Sequence, residues 1–212
     1  MSNLQERLTQ LSPEQRALVL EKLRARKLQD SATNGAPAGR PLAPIPRDQR
    51  IPLSFAQQRL WFLDQLGSES AYNIASVLQL QGDLDGTALE RAVTEIVRRH
   101  ESLRTTFQVM DGQPYQVIAS PSSLPLLAHG DISHLPTEQQ AAEVQRLAAA
   151  EAIRPFDLRQ DQMVRVTLLR LGAAEHVLLL TFHHIASDGW SIGVFVRELA
   201  TLYAAFTQGR LP

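Results

Sequence analysis

The sequence predicts an α/β fold of the α+β kind, a two-layer sandwich in which helices cover a mixed β-sheet. Apolar residues recur at helical spacing in several segments, and β-rich runs are interleaved with those segments. Two pairs of β-rich runs are separated by only a few residues. Such tight pairs argue against a doubly wound parallel sheet, because parallel neighbours need long crossover connections.

Four helices are predicted in the folded part of the chain. The first has Ser54 as its N-cap, with Leu53 as a hydrophobic staple and Gln57 completing a capping box, and it extends to about Leu66. The others show an apolar stripe or a composition rich in Ala, Glu and Gln. Their predicted spans are 87–99, 136–153 and 191–208.

Five β-rich runs complete the pattern. Asp111 and Gly112 supply the positive φ angles of a type I′ turn, so the runs on either side of them are predicted to form a hairpin. A second strand pair is predicted around Gly172. The five predicted strands are 72–80, 103–110, 113–119, 163–171 and 176–182.

Composition excludes several classes of function. The chain has 212 residues, 44% of them hydrophobic, with a net charge of -1 and no cysteine. A polybasic nucleic-acid surface is excluded, as are disulfides, thiolate nucleophiles and cysteine metal sites. No apolar run is long enough to cross a membrane, and residues 1–28 lack the apolar stretch of a signal peptide, so a cytoplasmic location is expected.

The chain divides into three predicted parts. Residues 1–28 are predicted to be a helical leader or docking segment, because Ser12 and Pro13 form a helix start before a narrow apolar stripe. Residues 29–50 have the Pro/Gly-rich composition of a linker. The folded domain is therefore expected to span residues 51–212.

The residues best suited to catalysis lie together at 183–191. The stretch reads His-His-Ile-Ala-Ser-Asp-Gly-Trp-Ser, between an apolar predicted strand and an apolar predicted helix. Successive residues leaving a strand point to opposite faces, so only one of His183 and His184 is expected to face a substrate. A neutral imidazole there suits a general base or a hydrogen-bond partner, because its pKa is close to working pH.

Asp188 and Gly189 suit other tasks. A carboxylate at a buried helix entrance needs a basic partner or backbone donors, because its charge is costly to desolvate. A glycine leaves space for a ligand to approach. A zinc site is disfavoured, because adjacent histidines are a poor chelate and Asp188 is the sole nearby carboxylate.

A serine hydrolase is the competing interpretation of the same stretch. Residues 189–193 match the Gly-x-Ser-x-Gly pattern, with Ser191 as the nucleophile. In that fold the serine directly follows its strand, and an acid and a histidine come later in the chain. No histidine follows His184, so Ser191 is predicted instead to be the N-cap of the last helix.

Three ordered motifs carry a resemblance to a known family. His183-His184-x-x-x-Asp188-Gly189, followed by Trp190-Ser191, resembles the active-site motif of the condensation domains of nonribosomal peptide synthetases, in the chloramphenicol acetyltransferase-like superfamily. Residues 53–63 (LSFAQQRLWFL) are similar to the family's opening motif, and residues 99–107 (RHESLRTTF) to its second motif. The resemblance covers the chain from about residue 51 onward and implies an N-terminal lobe, with a second lobe absent.

The resemblance implies peptide-bond formation and assigns roles within the motif. His184 would be the catalytic histidine, deprotonating the acceptor amine or holding it and stabilising the tetrahedral centre. Asp188 would be structural and would pair with Arg59. Gly189 would line the channel, and His183 completes the candidate catalytic set in a scaffold role.

Further residues are implied as structural support for that set. His100 ends a predicted helix, where a hydrogen bond to the last carbonyls is a common use of histidine. The supporting residues are Arg59, Trp190, Ser191, Arg99, His100 and Arg104, with Glu101 beside them in the second motif.

The resemblance also implies partners. Phosphopantetheine arms on donor and acceptor peptidyl carrier proteins would deliver both substrates, so no bound cofactor is required. Adjacent synthetase domains would be further partners, and neither nucleic acid nor membrane is expected as one. The isolated lobe is expected to be inactive, and the alternative from another class is a docking module that binds a carrier protein or another synthetase subunit without turnover.

Overall fold

Two β-sheets organise the part of the chain that this computed structural model describes, which is residues 46, 49–67, 70–121 and 127–210. The predicted leader, residues 1–28, lies outside the described residues. So does nearly all of the predicted linker, residues 29–50. Both remain predictions.

The larger sheet is mixed, as the sequence predicts. Its strand order is β2-β7-β6-β5, where β7 pairs antiparallel with β2 and β6, and β5 pairs parallel with β6. The strands are β2 (Asn73–Gln81), β5 (Leu127–Asp131), β6 (Val164–Arg170) and β7 (Glu175–His183).

The smaller sheet is antiparallel and contains the predicted hairpin. Its order is β1-β4-β3, formed by Ile51–Pro52, Gln113–Ile118 and Thr105–Met110 respectively. The turn between β3 and β4 has φ angles of 55° at Asp111 and 72° at Gly112. Positive φ at both central residues is the type I′ geometry that the dipeptide predicts.

All four predicted helices of the folded part are present. They are α1 (Phe55–Gln65), α2 (Gly86–Arg99), α3 (Thr137–Ile153) and α4 (Gly189–Thr207), and a short 3-10 helix spans Glu101–Arg104. At the start of α1, the Ser54 hydroxyl accepts from the Gln57 N–H while the Gln57 side chain accepts from the Ser54 N–H. This reciprocal pair is the predicted capping box.

Helices cover the larger sheet on both faces. On one face, α2 and α4 pack against alternate side chains of β7, including Leu178 and Leu180. On the other, α3 packs against Val177 and Leu179. The sheet is therefore a middle layer, one more layer than the predicted two, because β7 is apolar on both faces and must be covered twice.

Two strands and the grouping into separate sheets were not predicted. β1 is two residues long, and β5 includes Gly130 and Asp131, which are poor strand formers. β5 exists because β6 offers it a parallel partner. A Cβ at Gly130 would lie 2.8 Å from Cδ2 of Leu169. Any larger residue at position 130 would therefore require the Leu169 side chain to move.

A second apolar cluster supports the loop that follows β7. The buried members come from the segments before α1 and β6, from β3 and from that loop: Leu53, Phe107, Phe156, Leu158, Met163 and Ile185. Backbone bonds run through the same region, from the Phe107 N–H to the Leu158 carbonyl at 2.8 Å and from the His183 N–H to the Met163 carbonyl at 3.1 Å. Through Ile185, the loop that continues from β7 is therefore packed against Phe107 of the smaller sheet.

Within the described ranges, no helix is long and apolar enough to span a membrane.

Truncation of a central β7 side chain should be costly. Leu178 is fully buried, so Leu178→Ala should lower the free energy of unfolding by about 2–5 kcal/mol through lost burial and a residual cavity. Val77→Ala is the matched control, because Val77 lies on neighbouring β2 with 48% of its surface exposed and should lose less than about 1 kcal/mol. Urea denaturation measures both, and equal losses would contradict the central position of β7.

Candidate active site

The His-His pair lies where β7 leaves the larger sheet. His183 is the last strand residue and pairs with Asn73 of β2. The next backbone N–H, that of His184, donates to the Tyr72 carbonyl at 2.9 Å, just before β2 begins. The strand pairing therefore fixes the backbone of both histidines.

The two side chains point to different environments, as alternation along a strand predicts. The side chain of His183 is fully buried, and its Nδ1 accepts the Ile185 N–H at 3.2 Å. Its Nε2 has no hydrogen-bond partner among the described residues. Burial lowers the pKa of His183 from 6.5 to about 4, with smaller contributions from the charges of His184 and Arg165, so the ring is neutral at physiological pH.

The exposed His184 ring is held by its own loop. The Nδ1 atom lies 2.7 Å from the carbonyl oxygen of Ser187, which can only accept, so Nδ1 carries the proton of the neutral ring. The Nε2 atom is then unprotonated and can act as a base or a hydrogen-bond acceptor. This is the tautomer that a general base needs.

His184 lines a cavity of about 530 Å³, which we call the His184 cavity. Its other lining residues come from α1, from the residue before β2 and from the loop into α4: Ala56, Arg59, Leu60, Tyr72, Ala186, Ser187, Asp188 and Ser191. The first and third sequence motifs therefore meet here. Tyr72 is not among the predicted site residues, and it reaches the cavity because it directly precedes β2, beside the end of β7.

Asp188 is the N-cap of α4. Its carboxylate accepts from the Ser191 N–H at 2.8 Å and from the Ser191 hydroxyl at 2.6 Å. The side-chain bond from Ser191 lowers the pKa of Asp188 most, with a further contribution from the Ser191 backbone N–H. Because the carboxylate is satisfied in this way, it stays ionised at the entrance of the helix.

The implied Asp188–Arg59 ion pair is wrong for this structure. Both residues line the His184 cavity, yet the ion pairs of the described residues do not include one between them. The polar demand of Asp188 is met by the helix that it caps. Arg59 is an exposed residue that lines the same cavity and adds a positive charge to its lining.

The prediction of Ser191 as N-cap is also wrong by three residues. Ser191 is the third residue of α4, and both its donors point back to Asp188. A hydroxyl that donates to a carboxylate, with no bond to a histidine in the described part of the chain, lacks the base that activates a serine nucleophile. The serine-hydrolase alternative therefore loses its geometric support.

Gly189 and Trp190 form the first turn of α4 and do not line the His184 cavity. A Cβ at Gly189 would meet nothing within 4 Å in the described structure. Trp190 is 80% exposed and borders a separate cavity of about 150 Å³, which His100 also lines. The channel role implied for Gly189 therefore stays a prediction.

The second motif forms a scaffold beside the site. Arg99 pairs with Glu95 at 2.6 Å, and His100 bridges to Glu198 of α4 at 3.0 Å. The side chain of Arg104 is buried and donates to the carbonyl oxygens of Ala119 and Arg98. Neither Arg99, His100 nor Arg104 lines the His184 cavity.

No cluster of three metal-ligating side chains occurs in the residues that the structure describes. The polar side chains that line the His184 cavity carry imidazole, guanidinium, phenol, carboxylate and hydroxyl groups. The hydrogen bonds of the loop leave the Nε2 atom of His184 as a free acceptor there.

Comparison with known proteins identifies relatives of this region. A family profile described as "Condensation domain" matches residues 47–212. The chain is 49% identical over 177 residues to the chondramide synthase cmdD of Chondromyces crocatus, covering 83% of this chain and 4% of that protein. It is 44% identical over 214 residues to the phosphinothricin tripeptide synthetase PhsC of Streptomyces viridochromogenes, covering 99% of this chain and 19% of that protein.

Solved structures agree with these relatives. The first condensation domain of the calcium-dependent antibiotic synthetase, in complex with a substrate analogue, superposes with a TM-score of 0.69 at 32% identity, covering 77% of this chain and 39% of that one. The starter condensation domain of the rhizomide synthetase RzmA gives a TM-score of 0.69 at 25% identity, covering 77% and 40% respectively. The chain thus spans about two fifths of the structures that it matches.

The lowered pKa of His183 predicts a pH-dependent stability. Between about pH 6.5 and pH 4 the unfolded chain binds a proton at residue 183 that the folded chain does not, so stability falls as the pH falls through this window. The loss from pH 7 to pH 4 is on the order of 3 kcal/mol for this group. His183→Asn keeps an acceptor but cannot titrate, so its free energy of unfolding, measured by urea denaturation, should change less between pH 7 and pH 4. An equal change with pH in the two proteins would contradict the assignment.

The helix cap predicts a different pattern at Asp188. Asp188→Ala should lower the thermal midpoint because α4 loses its cap, whereas Asp188→Asn should retain most of it, since Asn caps helices as well as Asp does. Arg59→Ala serves as the test of the alternative ion pair and should leave the midpoint close to that of the unsubstituted chain. If Arg59→Ala lowered the thermal midpoint as much as Asp188→Ala does, the result would support the ion pair between the two residues.

Proposed function

Because the chain belongs to the condensation-domain family of nonribosomal peptide synthetases, we propose that it contributes the catalytic histidine to amide-bond formation between two carrier-bound substrates. The donor is an acyl or peptidyl thioester and the acceptor is an aminoacyl thioester with a free amine. The observation that carries this proposal is the His184 ring, whose Nδ1 proton is held by the Ser187 carbonyl and whose Nε2 is left free beside a large cavity.

The reaction follows from that tautomer. The acceptor amine attacks the thioester carbonyl carbon, a C–N bond forms, and the carbonyl electrons move to oxygen in a tetrahedral centre. His184 Nε2 accepts a hydrogen bond from the attacking amine and can take its proton. Collapse of the centre breaks the C–S bond, and the departing thiolate receives the proton.

His184 is proposed to act mainly by positioning. An α-amine with a pKa of about 8 is already partly neutral at working pH, so proton removal is not the whole barrier. Holding amine and thioester in contact supplies the larger share, and a hydrogen bond that is strongest in the tetrahedral centre supplies the rest. The Arg59 charge on the cavity wall is suited to contact with an anionic group of a substrate arm.

The substrates imply the partners. Phosphopantetheine arms on donor and acceptor peptidyl carrier proteins are proposed to deliver both thioesters, so that no separate cofactor is held by this chain. Relatives such as PhsC are far longer than this chain, which covers 19% of that protein. Adjacent synthetase domains and a second lobe are therefore proposed as partners, and residues 1–28 as a segment that docks onto one of them.

A second candidate function is carrier-protein binding without turnover. It is favoured by one observation, that the chain spans 39% of a condensation domain whose structure contains a substrate analogue. The two functions differ in whether product forms.

His184→Ala should lower the rate of dipeptide formation at least 100-fold, by the usual scale of acid–base and transition-state contributions. The assay measures dipeptide on the acceptor carrier by intact-mass spectrometry, using loaded donor and acceptor carriers. The protein assayed is a chimera in which residues 47–212 replace the matching segment of a complete condensation domain from the chondramide synthase cmdD, alongside the 212-residue chain itself.

His129→Ala is the matched control, because His129 is an exposed histidine on β5, outside the His184 cavity. It should leave the rate unchanged. Product from the chimera that survives His184→Ala would contradict the catalytic assignment. A folded chimera that binds both carriers and makes no product, beside an active parent domain, would favour the binding function.

A further inference from the structure

A stack of three side chains lies behind the histidine pair. The guanidinium carbon of Arg165 is 3.8 Å from the centre of the Phe156 ring. The Phe156 ring meets the His183 imidazole edge to face, with ring centres 5.8 Å apart and an angle of 67°. The three motifs contain neither Arg165 nor Phe156, and nothing in the proposed reaction uses them.

Arg165 lies on the sheet face that carries His183. It belongs to β6 and pairs with Thr181 of β7, and Thr181 lies two residues before His183. The side chains of Arg165, Thr181 and His183 therefore lie on the same face of the sheet. The α3 helix covers this face. Its last turn supplies Glu151, whose carboxylate pairs with the Arg165 Nε at 3.2 Å.

Arg165 also holds the backbone that carries Phe156. Its guanidinium donates to the Pro155 carbonyl at 3.0 Å and to the Arg154 carbonyl at 2.6 Å, directly after α3 ends. The planar guanidinium group of an arginine can make both bonds and still stack on an aromatic ring. The compact ammonium group of a lysine cannot do both. The position of Phe156 against His183 therefore depends on an arginine.

His183 has one productive protonation state. Its Nδ1 is the acceptor for the Ile185 N–H, and a protonated ring would lose that acceptor. The charged and titratable groups around it are Arg165 on β6, with Glu151 paired to it, and His184 next in the chain. Phe156 and Ile185 belong to the same buried cluster, so the ring wall and the loop are packed together.

We propose that Arg165 is a positioning residue for the condensation reaction, acting through Phe156 to fix the His183 ring. With the ring fixed, Nδ1 of His183 holds the Ile185 N–H, and the turn that presents His184 keeps its shape. The catalytic consequence rests on the proposed function, whereas the positioning of the loop does not. The two are therefore measured separately.

The positioning is tested by hydrogen exchange and by ¹⁵N NMR of the histidine rings in the 212-residue chain. Arg165→Met keeps the length of the side chain and removes the fork and the charge. The Ile185 amide should then exchange at least tenfold faster, and the ring ¹⁵N signals of His183 should shift, because the Phe156 ring that packs against it is no longer held. Arg146→Met is the matched control, because Arg146 lies on exposed α3 surface and pairs only with Glu143, at 2.7 Å, among the described residues.

Unchanged Ile185 exchange and unchanged His183 signals in folded Arg165→Met would overturn the proposal. If that variant does not fold, Phe156→Leu and Arg165→Lys are measured in its place. Both should speed Ile185 exchange, Arg165→Lys less than Phe156→Leu, because a lysine can still donate to one of the carbonyl oxygens that Arg165 holds. Protection equal to that of the unsubstituted chain in both would overturn the proposal equally.

The catalytic part is tested in the chimera. Arg165→Met should lower kcat at least tenfold and leave KM for the loaded acceptor carrier unchanged, since it moves the histidine and not the carrier contacts. Normal kcat together with faster Ile185 exchange would overturn the catalytic consequence alone. No product from any version of the chimera would contradict the proposed function and leave the exchange result standing.

Discussion

The pairing of β7 on both edges and its burial on both faces is the constraint on which the rest of this structure depends. β2 and β6 flank it, α2 and α4 cover one face, and α3 covers the other. A strand enclosed in this way has no freedom to shift register, because a shift of one residue would exchange its two apolar faces and break two ladders. The residue at its end is therefore located as firmly as the core.

That rigidity explains how two adjacent histidines acquire different chemistry. His183 ends the strand inside the core, where burial keeps it neutral and its Nδ1 supports the next turn. His184 lies one residue further, outside the sheet, and its Nδ1 is held by the carbonyl of Ser187. Identical side chains therefore have different surroundings, one in the core and the other beside the His184 cavity, because the strand ends between them.

The loop after the strand is stabilised by its own backbone and by the helix that it starts. The Asp188 carboxylate accepts hydrogen bonds from the N–H and the hydroxyl of Ser191, and these bonds stabilise its charge. The Ser191 hydroxyl is therefore bound to a carboxylate and has no histidine among the described residues to activate it. Behind the loop, Phe156 and Ile185 share one buried cluster with Phe107 of the smaller sheet and with Met163, which directly precedes β6. The bonds from His184 Nδ1 to the Ser187 carbonyl and from Ser191 to Asp188 thus hold the loop in shape within the chain itself.

The sequence by itself determined the local elements and the identity of the motif. The capping box at Ser54, the Asp111-Gly112 turn and the four helices depend on residues close together in the chain, so local rules predict them. The three motifs predicted the family, and alternation at a strand end predicted that the two histidines would part. Tertiary structure alone decided the rest: β5 forms because β6 pairs with it, Asp188 caps α4 with no bond to Arg59, and Arg165 reaches His183 through Phe156. Each of these features depends on which distant segments come into contact. The packing on the two faces of β7 decides those contacts, and a local sequence pattern does not encode them.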